Sequence, residues 1–348
     1  MNENQGALSR DSSRGEPRRE TSPAVMADLL EPIACEVCES DRQRPLFKVR
    51  ENRSWWISKC ADDPRLDIDH EFSVVECVDC GHAYVSPRLL PEIIDDIYAR
   101  YWRSHEPATL GRSGYANHVA RRIRSLRPCG DLLDFGSGWG VQMREAAEVG
   151  WRAVGLEVDR RKVEFCREQQ LDAIYADLLD RPFEANSFDA VMAEQVFEHL
   201  YRPARYLEEI HRVLRPGGIV YICVPHIDSI AAKLKRGRWS LLHPVSHVQY
   251  YDRGSLTRLL ERCGFEVATP RYARRYNGSP LKEAAYQAKT FLEGAGIFPT
   301  GLALYGRKML ATTFRRRHLK GVAGTKPVDG AIGQSAAARA AEPVVSRQ

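Results

Sequence analysis

The chain has 348 residues, 43% hydrophobic and 28% charged, which is the balance of a globular protein with room for one ordinary α/β domain, a smaller module and tails. No apolar run approaches the ~20 residues of a membrane span, and the polar first residues carry no apolar signal-peptide core. The net charge of +5 gathers toward the end, where Arg315-Arg316-Arg317-His318 is the densest cluster. The body is therefore near neutral and lacks the broad basic face of a nucleic-acid binder.

Residues 1–28, rich in Ser, Arg, Glu, Asn and Gly, have no apolar period and read as a disordered tail. Cys35-Glu36-Val37-Cys38 and Cys77-Val78-Asp79-Cys80-Gly81-His82 then bracket a module over 29–90. The chain holds nine cysteines, an odd number, and no export signal, so metal binding in a reducing, cytoplasmic setting is expected rather than a disulfide framework. Two C-x-x-C knuckles suit a tetrahedral zinc site on Cys35, Cys38, Cys77 and Cys80, each knuckle placing two thiolates about 4 Å apart as Zn–S bonds of ~2.3 Å require. Four buried free cysteines would leave the paired spacing unexplained. Four thiolates leave no open position, so the zinc would be structural, a staple for a module with little apolar content. Cys60, His70 and His82 are alternative donors.

Residues 91–130 read as a helical linker or lid. Ile93, Ile94, Ile97 and Tyr98 share one face of a helix over 91–101, and a second helix over 115–126 is expected across the entrance to the next domain. Arg127-Pro128-Cys129-Gly130 is a breaker. Strands and helices then alternate over 131–320. Strands are expected at 132–135, 152–156, 172–176, 188–193, 219–224 and 265–268, with helices at 160–169, 203–214 and 254–263. Pro203 starts the middle helix and Pro216-Gly217-Gly218 stops it. Such repetition means an α/β fold, a parallel sheet with its ligand at the strands' carboxyl ends. Residues 302–314 read as a last edge strand or as a basic amphipathic helix, and 321–348 as a second disordered tail.

The first strand runs into Asp134-Phe135-Gly136-Ser137-Gly138-Trp139-Gly140 and then into a helical pattern. Strand, glycine turn and helix bring backbone close to a ligand. A dinucleotide fingerprint wants its third glycine three positions after the second, which here is Val141, so the spacing argues against NAD. The D-x-G-x-G-x-G pattern, with Gly155-Leu156-Glu157 and Ala176-Asp177, resembles motifs I to III of the class I S-adenosylmethionine (SAM) methyltransferases. Pro182-Phe183, Ser187-Phe188-Asp189, Phe197-Glu198-His199-Leu200, Leu214-Arg215-Pro216-Gly217-Gly218 and Val224-Pro225 resemble later signatures of their small-molecule branch. The cysteine pairs, followed by Ser86-Pro87-Arg88, resemble the zinc module of bacterial methyltransferases of sugar and natural-product pathways. The resemblance implies a Rossmann-like seven-stranded sheet with a small zinc-ribbon-like module, and SAM as cofactor. Gly136, Ser137, Gly138 and Gly140 would bring backbone to its methionine half, with Asp134 supporting the loop. Glu157 would accept from the ribose hydroxyls, Asp177 from the adenine amine, and the Leu178 N–H would reach adenine N1. Glu194, closing strand four, completes the set.

The reaction so implied is an S_N2 displacement at the sulfonium methyl, and a hydroxyl acceptor also needs its proton removed, usually by histidine. His199, His226, His243 and His247 fall beyond the carboxyl edge of the sheet; His247 is the favoured general base and His199 the next, with Glu198 orienting its neighbour. A small-molecule or glycan acceptor is the expected partner, and O-methylation the expected outcome. The segment after strand four, Glu194-Gln195-Val196-Phe197, lacks the Asn/Asp-Pro-Pro-aromatic motif that holds a flipped base, which disfavours an RNA or DNA methyltransferase. A non-catalytic SAM-binding protein would have a spoiled glycine loop. The basic stretch 307–320 raises peripheral membrane contact as the less favoured reading of that segment.

Overall fold

The computed structural model describes residues 28–52, 69–94, 115–269 and 301–309. The expected tails, Cys60, and the second half of the helix over 91–101 lie outside them. The first strands are β1 (Leu30–Glu31), β2 (Gln43–Asn52), β3 (Asp69–Cys77), β4 (Ala83–Val85) and β5 (Arg88–Leu89), of which β1 and β5 pair with each other. Helix α1 (Tyr115–Leu126) follows. The alternating region holds β6 (Asp131–Phe135), α2 (Val141–Ala147), β7 (Arg152–Glu157), α3 (Arg160–Glu168), β8 (Ala173–Tyr175), β9 (Phe188–Glu194), α4 (Pro203–Val213) and β10 (Leu214–Pro225). Then come α5 (Ile230–Lys235), β11 (Gln249–Tyr250), α6 (Arg253–Arg262), β12 (Phe265–Ala268) and β13 (Gly301–Lys308).

The large sheet runs β12-β13-β10-β9-β6-β7-β8. Counted from the glycine loop the strands stand 3-2-1-4-5-7-6, and the order reverses between β6 and β9, where both strands are parallel and their carboxyl ends open a crevice. Strand β13 is antiparallel to both neighbours. It lies inside the sheet, where the sequence had offered an edge strand or a helix; β12 is the edge. Leu302, Leu304 and Tyr305 are buried, which fits a strand inside the sheet, and its pairing partner is far off in sequence, Tyr221 lying opposite Tyr305. The fold is the Rossmann-like methyltransferase fold with a mixed seven-stranded sheet.

Local chemistry explains the boundaries. Asp159 caps α3 by accepting from the Arg161 N–H, and Asp252 forms a reciprocal cap with Ser255 on α6. Helix α4 starts on Pro203 and buries Leu207, Ile210 and Val213 against the sheet. Helix α1 carries Val119, Ala120 and Ile123 into a cluster with Leu132, Ala146, Trp151 and Met192, and the Trp151 indole donates to the Ala120 carbonyl at 3.1 Å. It is thus a core helix on one face of the sheet rather than a lid across the entrance. No helix among the described residues is long and apolar enough to cross a membrane.

The cysteine module is not separable by its own hydrogen bonds. Its sheet runs β11-β4-β3-β2, so the second knuckle's strands are completed by Gln249 and Tyr250, more than 160 positions later. Cys35, Val37, Cys77, Cys80 and Tyr84 belong to the same apolar cluster as Leu133, Ile222 and Phe265 of the large sheet. From α6, Arg262 donates to the Val37 carbonyl at 2.9 Å and Arg258 to the Cys80 carbonyl, so each knuckle is held by a guanidinium.

At the other end of the central strands, one carboxylate braces four segments. Asp189 accepts from Arg215 Nη1 at 2.6 Å, from Arg127 Nη2 at 2.8 Å and from the Asp131 N–H at 3.1 Å. A Cβ on residue 130 would lie 2.0 Å from Asp189 Oδ2, which accounts for Gly130. Burial alone would raise the Asp189 carboxyl; hydrogen bonds from Arg127 and the Asp131 N–H, and the charges of Arg215 and Arg127, offset this and hold it below the ordinary range. A depressed folded value means stability that is present above the unfolded carboxyl's pKa and lost as pH falls through the folded one. Asp189→Asn should therefore lower unfolding stability near pH 7 by about 1–2 kcal/mol. In denaturant titrations its deficit should vanish at strongly acid pH; a pH-independent deficit would contradict the clamp.

Candidate active site

The glycine loop is fixed from below and open above. The Gly136 and Ser137 N–H groups donate to the Leu156 carbonyl at 2.9 and 3.2 Å, tying the loop to β7. Gly136 has φ +74°, and a Cβ there would meet Val196 Cγ2 at 2.5 Å. At Gly138, with φ +53°, a Cβ would meet nothing within 4 Å. The first glycine is thus required by packing, while the second has room for a side chain and is favoured by its positive φ.

Glu157 is the tie between the loop and its neighbour strand. Its Oε2 accepts from the Gly138 N–H at 2.8 Å, and Oε1 from the Val158 and Asp159 N–H groups at 3.0 and 3.1 Å. Asp134 lies beneath the loop with 1% of its surface exposed, and Oδ2 has no hydrogen-bond partner among the described residues. Burial, then the charges of Glu194 and Glu157, push its carboxyl up to about 8. Glu194 accepts from the Tyr221 hydroxyl at 2.9 Å, and burial raises it too. Ser137 is buried with its hydroxyl unpartnered among the described residues. Gly140 sits against Leu171 and Cys166 at the start of α2.

Asp177 caps the short turn Leu178–Asp180, accepting from the Leu179 N–H at 2.7 Å, while the Tyr206 hydroxyl donates to its other oxygen at 2.8 Å. Each oxygen keeps a second lone pair. Leu178 opens that turn, so its N–H has no acceptor within it. Tyr206 and Tyr221 escape sequence reasoning, because nothing in a helix stripe or a buried strand announces that a phenol will meet a carboxylate from another element.

Asp134, Glu157 and Glu194 stand at the ends of β6, β7 and β9. They offer no positive charge to a pyrophosphate, whereas SAM brings a sulfonium and an ammonium against a single carboxylate.

A second cluster follows β9 and gathers most of the expected histidines. His199 Nδ1 lies 2.8 Å from the Ser246 carbonyl, and His247 Nδ1 lies 2.9 Å from the Leu241 carbonyl. Their ring centroids are 4.8 Å apart, and His243 is 5.5 Å from His247. Burial pushes His199 down to about 4 and His247 well below its ordinary range, so both rings are neutral near pH 7. Glu198 is 1% exposed, and neither carboxylate oxygen has a hydrogen-bond partner among the described residues; burial, then Glu194, raises it to about 8 against its own N–H. Glu198 was expected to orient His199, yet the closest approach to that ring is 3.9 Å. His226 is elsewhere, bridging to Tyr251 beside β11.

Cys35, Cys38, Cys77 and Cys80 also converge. Sγ atoms of Cys35 and Cys80 are 3.5 Å apart, those of Cys38 and Cys77 are 3.4 Å apart, and all four lie within 4.8 Å of one another. A tetrahedron with ~2.3 Å bonds puts its sulfurs about 3.8 Å apart, so the donor set fits zinc. His82 instead bonds Gln249 at 2.8 Å, and His70 packs edge-on against Phe72.

The comparisons with known proteins agree with this geometry. Residues 102–269 match the family model described as "Methyltransferase domain". A "Probable S-adenosylmethionine-dependent methyltransferase" of Mycolicibacterium smegmatis is 34% identical over 182 residues, 52% of this chain and 64% of the relative. A demethylmenaquinone methyltransferase of Clavibacter sepedonicus is 27% identical over 39% of this chain and 58% of its own. The chain thus spans less than two thirds of these relatives. A solved SAM-dependent methyltransferase from Archaeoglobus fulgidus aligns with TM-score 0.42 at 18% identity, over 56% of this chain and 93% of that one.

Glu157→Ala should weaken SAM binding at least tenfold by calorimetry, the effect of losing one charged hydrogen-bonding group (~1.4 kcal/mol or more). Binding at wild-type strength would remove Glu157 from the cofactor site.

Proposed function

We propose that the chain transfers the methyl group of SAM to a hydroxyl of a small acceptor, a sugar, glycan or natural-product intermediate, and that its four clustered cysteines hold a structural zinc ion. The observation that carries the reading is adjacency: Glu194 closes β9, and the turn Phe197–His199 that follows brings Glu198 and His199 together with His247. The acid cradle suited to SAM and the histidine cluster are thus placed by one strand end. On this reading the acceptor oxygen attacks the methyl carbon in line, the carbon–sulfur bond breaks with its electron pair on sulfur, and the hydroxyl proton is lost at the cluster. Holding acceptor and methyl together in a dry crevice supplies much of the rate. The cysteine geometry supports zinc, and with all four thiolates bound it has no position for chemistry.

Methyl label from SAM is expected on hydroxylated sugars, glycans or phenols in a panel that also holds quinols, tRNA and rRNA. His247→Ala should lower kcat by ~10²–10⁴-fold with SAM affinity unchanged. Label found in RNA and in no hydroxylated small molecule would overturn the acceptor class.

Protein purified without chelator should contain one zinc at the cysteines by elemental analysis, and Cys38→Ser should lower zinc content and thermal stability together. Zinc-free protein of undiminished stability would end the structural-zinc reading.

A further inference from the structure

The Glu198, His199 and His247 cluster has the construction of a metal site. A carboxylate oxygen and one nitrogen from each ring lie within 4.8 Å of one another. A main-chain carbonyl can only accept, so the Nδ1 that meets Ser246 O and the Nδ1 that meets Leu241 O both carry the proton. In the neutral ring the lone pair then resides on Nε2, and the ring's orientation is set from behind. Histidines that bind metals are held in this manner, the other ring N–H donating to a carbonyl or carboxylate. Glu198 adds a carboxylate that is 1% exposed with no hydrogen-bond partner on either oxygen among the described residues. Buried without a partner, that group is kept neutral by a proton or, as a carboxylate, is satisfied by a cation that displaces it. His199 keeps 24% of its side chain exposed, so the cluster opens to one side.

We propose that Glu198, His199 and His247 bind a divalent first-row transition-metal ion, two imidazoles and one carboxylate leaving positions open for an oxygen ligand. This donor set suits Mn²⁺, Fe²⁺, Co²⁺ or Zn²⁺ and is poor for Ca²⁺, which takes oxygen ligands throughout. Bonds of about 2.1 Å place neighbouring ligands roughly 3 Å apart and opposed ones roughly 4.2 Å apart, so closure of the cluster by a modest side-chain movement suffices. The site is distinct from the four cysteines, which have no open position. Resting on the proposed methyl transfer only for the acceptor's location, it assigns how the hydroxyl is activated. An acceptor oxygen bound to the ion loses its proton to solvent, and the resulting alkoxide attacks the methyl carbon.

The test uses the full chain with its cysteine site occupied by zinc. Calorimetry and the EPR signal of free Mn²⁺ should show one Mn²⁺ bound per chain. Glu198→Gln and His247→Ala should each weaken that binding by at least tenfold, with zinc content and SAM affinity retained as the check of folding. No uptake of Mn²⁺ or Co²⁺ beyond the zinc, or uptake unaltered in both variants, would overturn the proposal. Methyl transfer at full rate in protein stripped of the second ion would also overturn it, leaving His247 as the general base and the methyltransferase reading intact. Mn²⁺ binding lost in the variants, with methyl transfer to none of the hydroxylated acceptors, would uphold the site and sink the acceptor reading alone.

Discussion

The cofactor half of the molecule depends on one carboxylate. Glu157 accepts from three main-chain N–H groups, Gly138, Val158 and Asp159. Those bonds join the glycine loop after β6 to the turn between β7 and α3, so two independent connections move as one. Charge-assisted bonds to main-chain donors are stronger than neutral ones and costly to leave unmade in a buried setting. The loop can therefore keep three residues at positive φ, Gly136, Gly138 and Gly140, and still hold a single shape.

The histidine cluster depends on a chain of hydrogen bonds that passes through the cysteine module. The Val248 N–H donates to the Glu198 carbonyl at 2.9 Å, and the Val248 carbonyl accepts from the Val85 N–H at 3.0 Å. Val248 follows His247 and precedes β11, which pairs with β4 of the module. Arg88 donates to the Tyr201 carbonyl at 3.0 Å and the Tyr201 hydroxyl returns to the Leu89 carbonyl at 2.7 Å. The turn bearing Glu198 and His199 and the segment bearing His247 are thus both fastened to strands that a zinc ion would staple. On that view the module's contribution is positional: it fixes the two pieces of the histidine cluster relative to each other.

The fold was legible where the physics is local. The central strand, its glycine loop and the helices α3, α4 and α6 follow from apolar period, caps and breakers, and appear within a residue or two of where those signals place them. What was not legible is pairing over long separation. Strand β13 could be called a strand or a helix because its partner β10 lies some eighty residues back, and insertion between β10 and β12 leaves no local mark. The module's outline was blurred for the same reason, since β11 belongs to its sheet by hydrogen bonds and to another region by sequence. At the site, carboxylates at strand ends could be named from spacing. The phenols of Tyr206 and Tyr221 could not, nor could the failure of Glu198 to hydrogen-bond the histidine beside it.

The acidity of the cradle also bears on turnover. Asp134, Glu157 and Glu194 gather at the strand ends, and burial raises Asp134 to about 8, so its carboxyl is largely neutral near pH 7. SAM has a net positive charge, carried by its sulfonium and ammonium against one carboxylate. Methyl transfer converts the sulfonium to a neutral thioether. Coulomb attraction in a site of low effective dielectric falls sharply when one partner loses its charge. On the proposed methyl transfer, an ionised acid of the cradle loses that attraction when the sulfonium becomes a thioether, whereas Asp134, raised to about 8 and neutral near pH 7, contributes little to it.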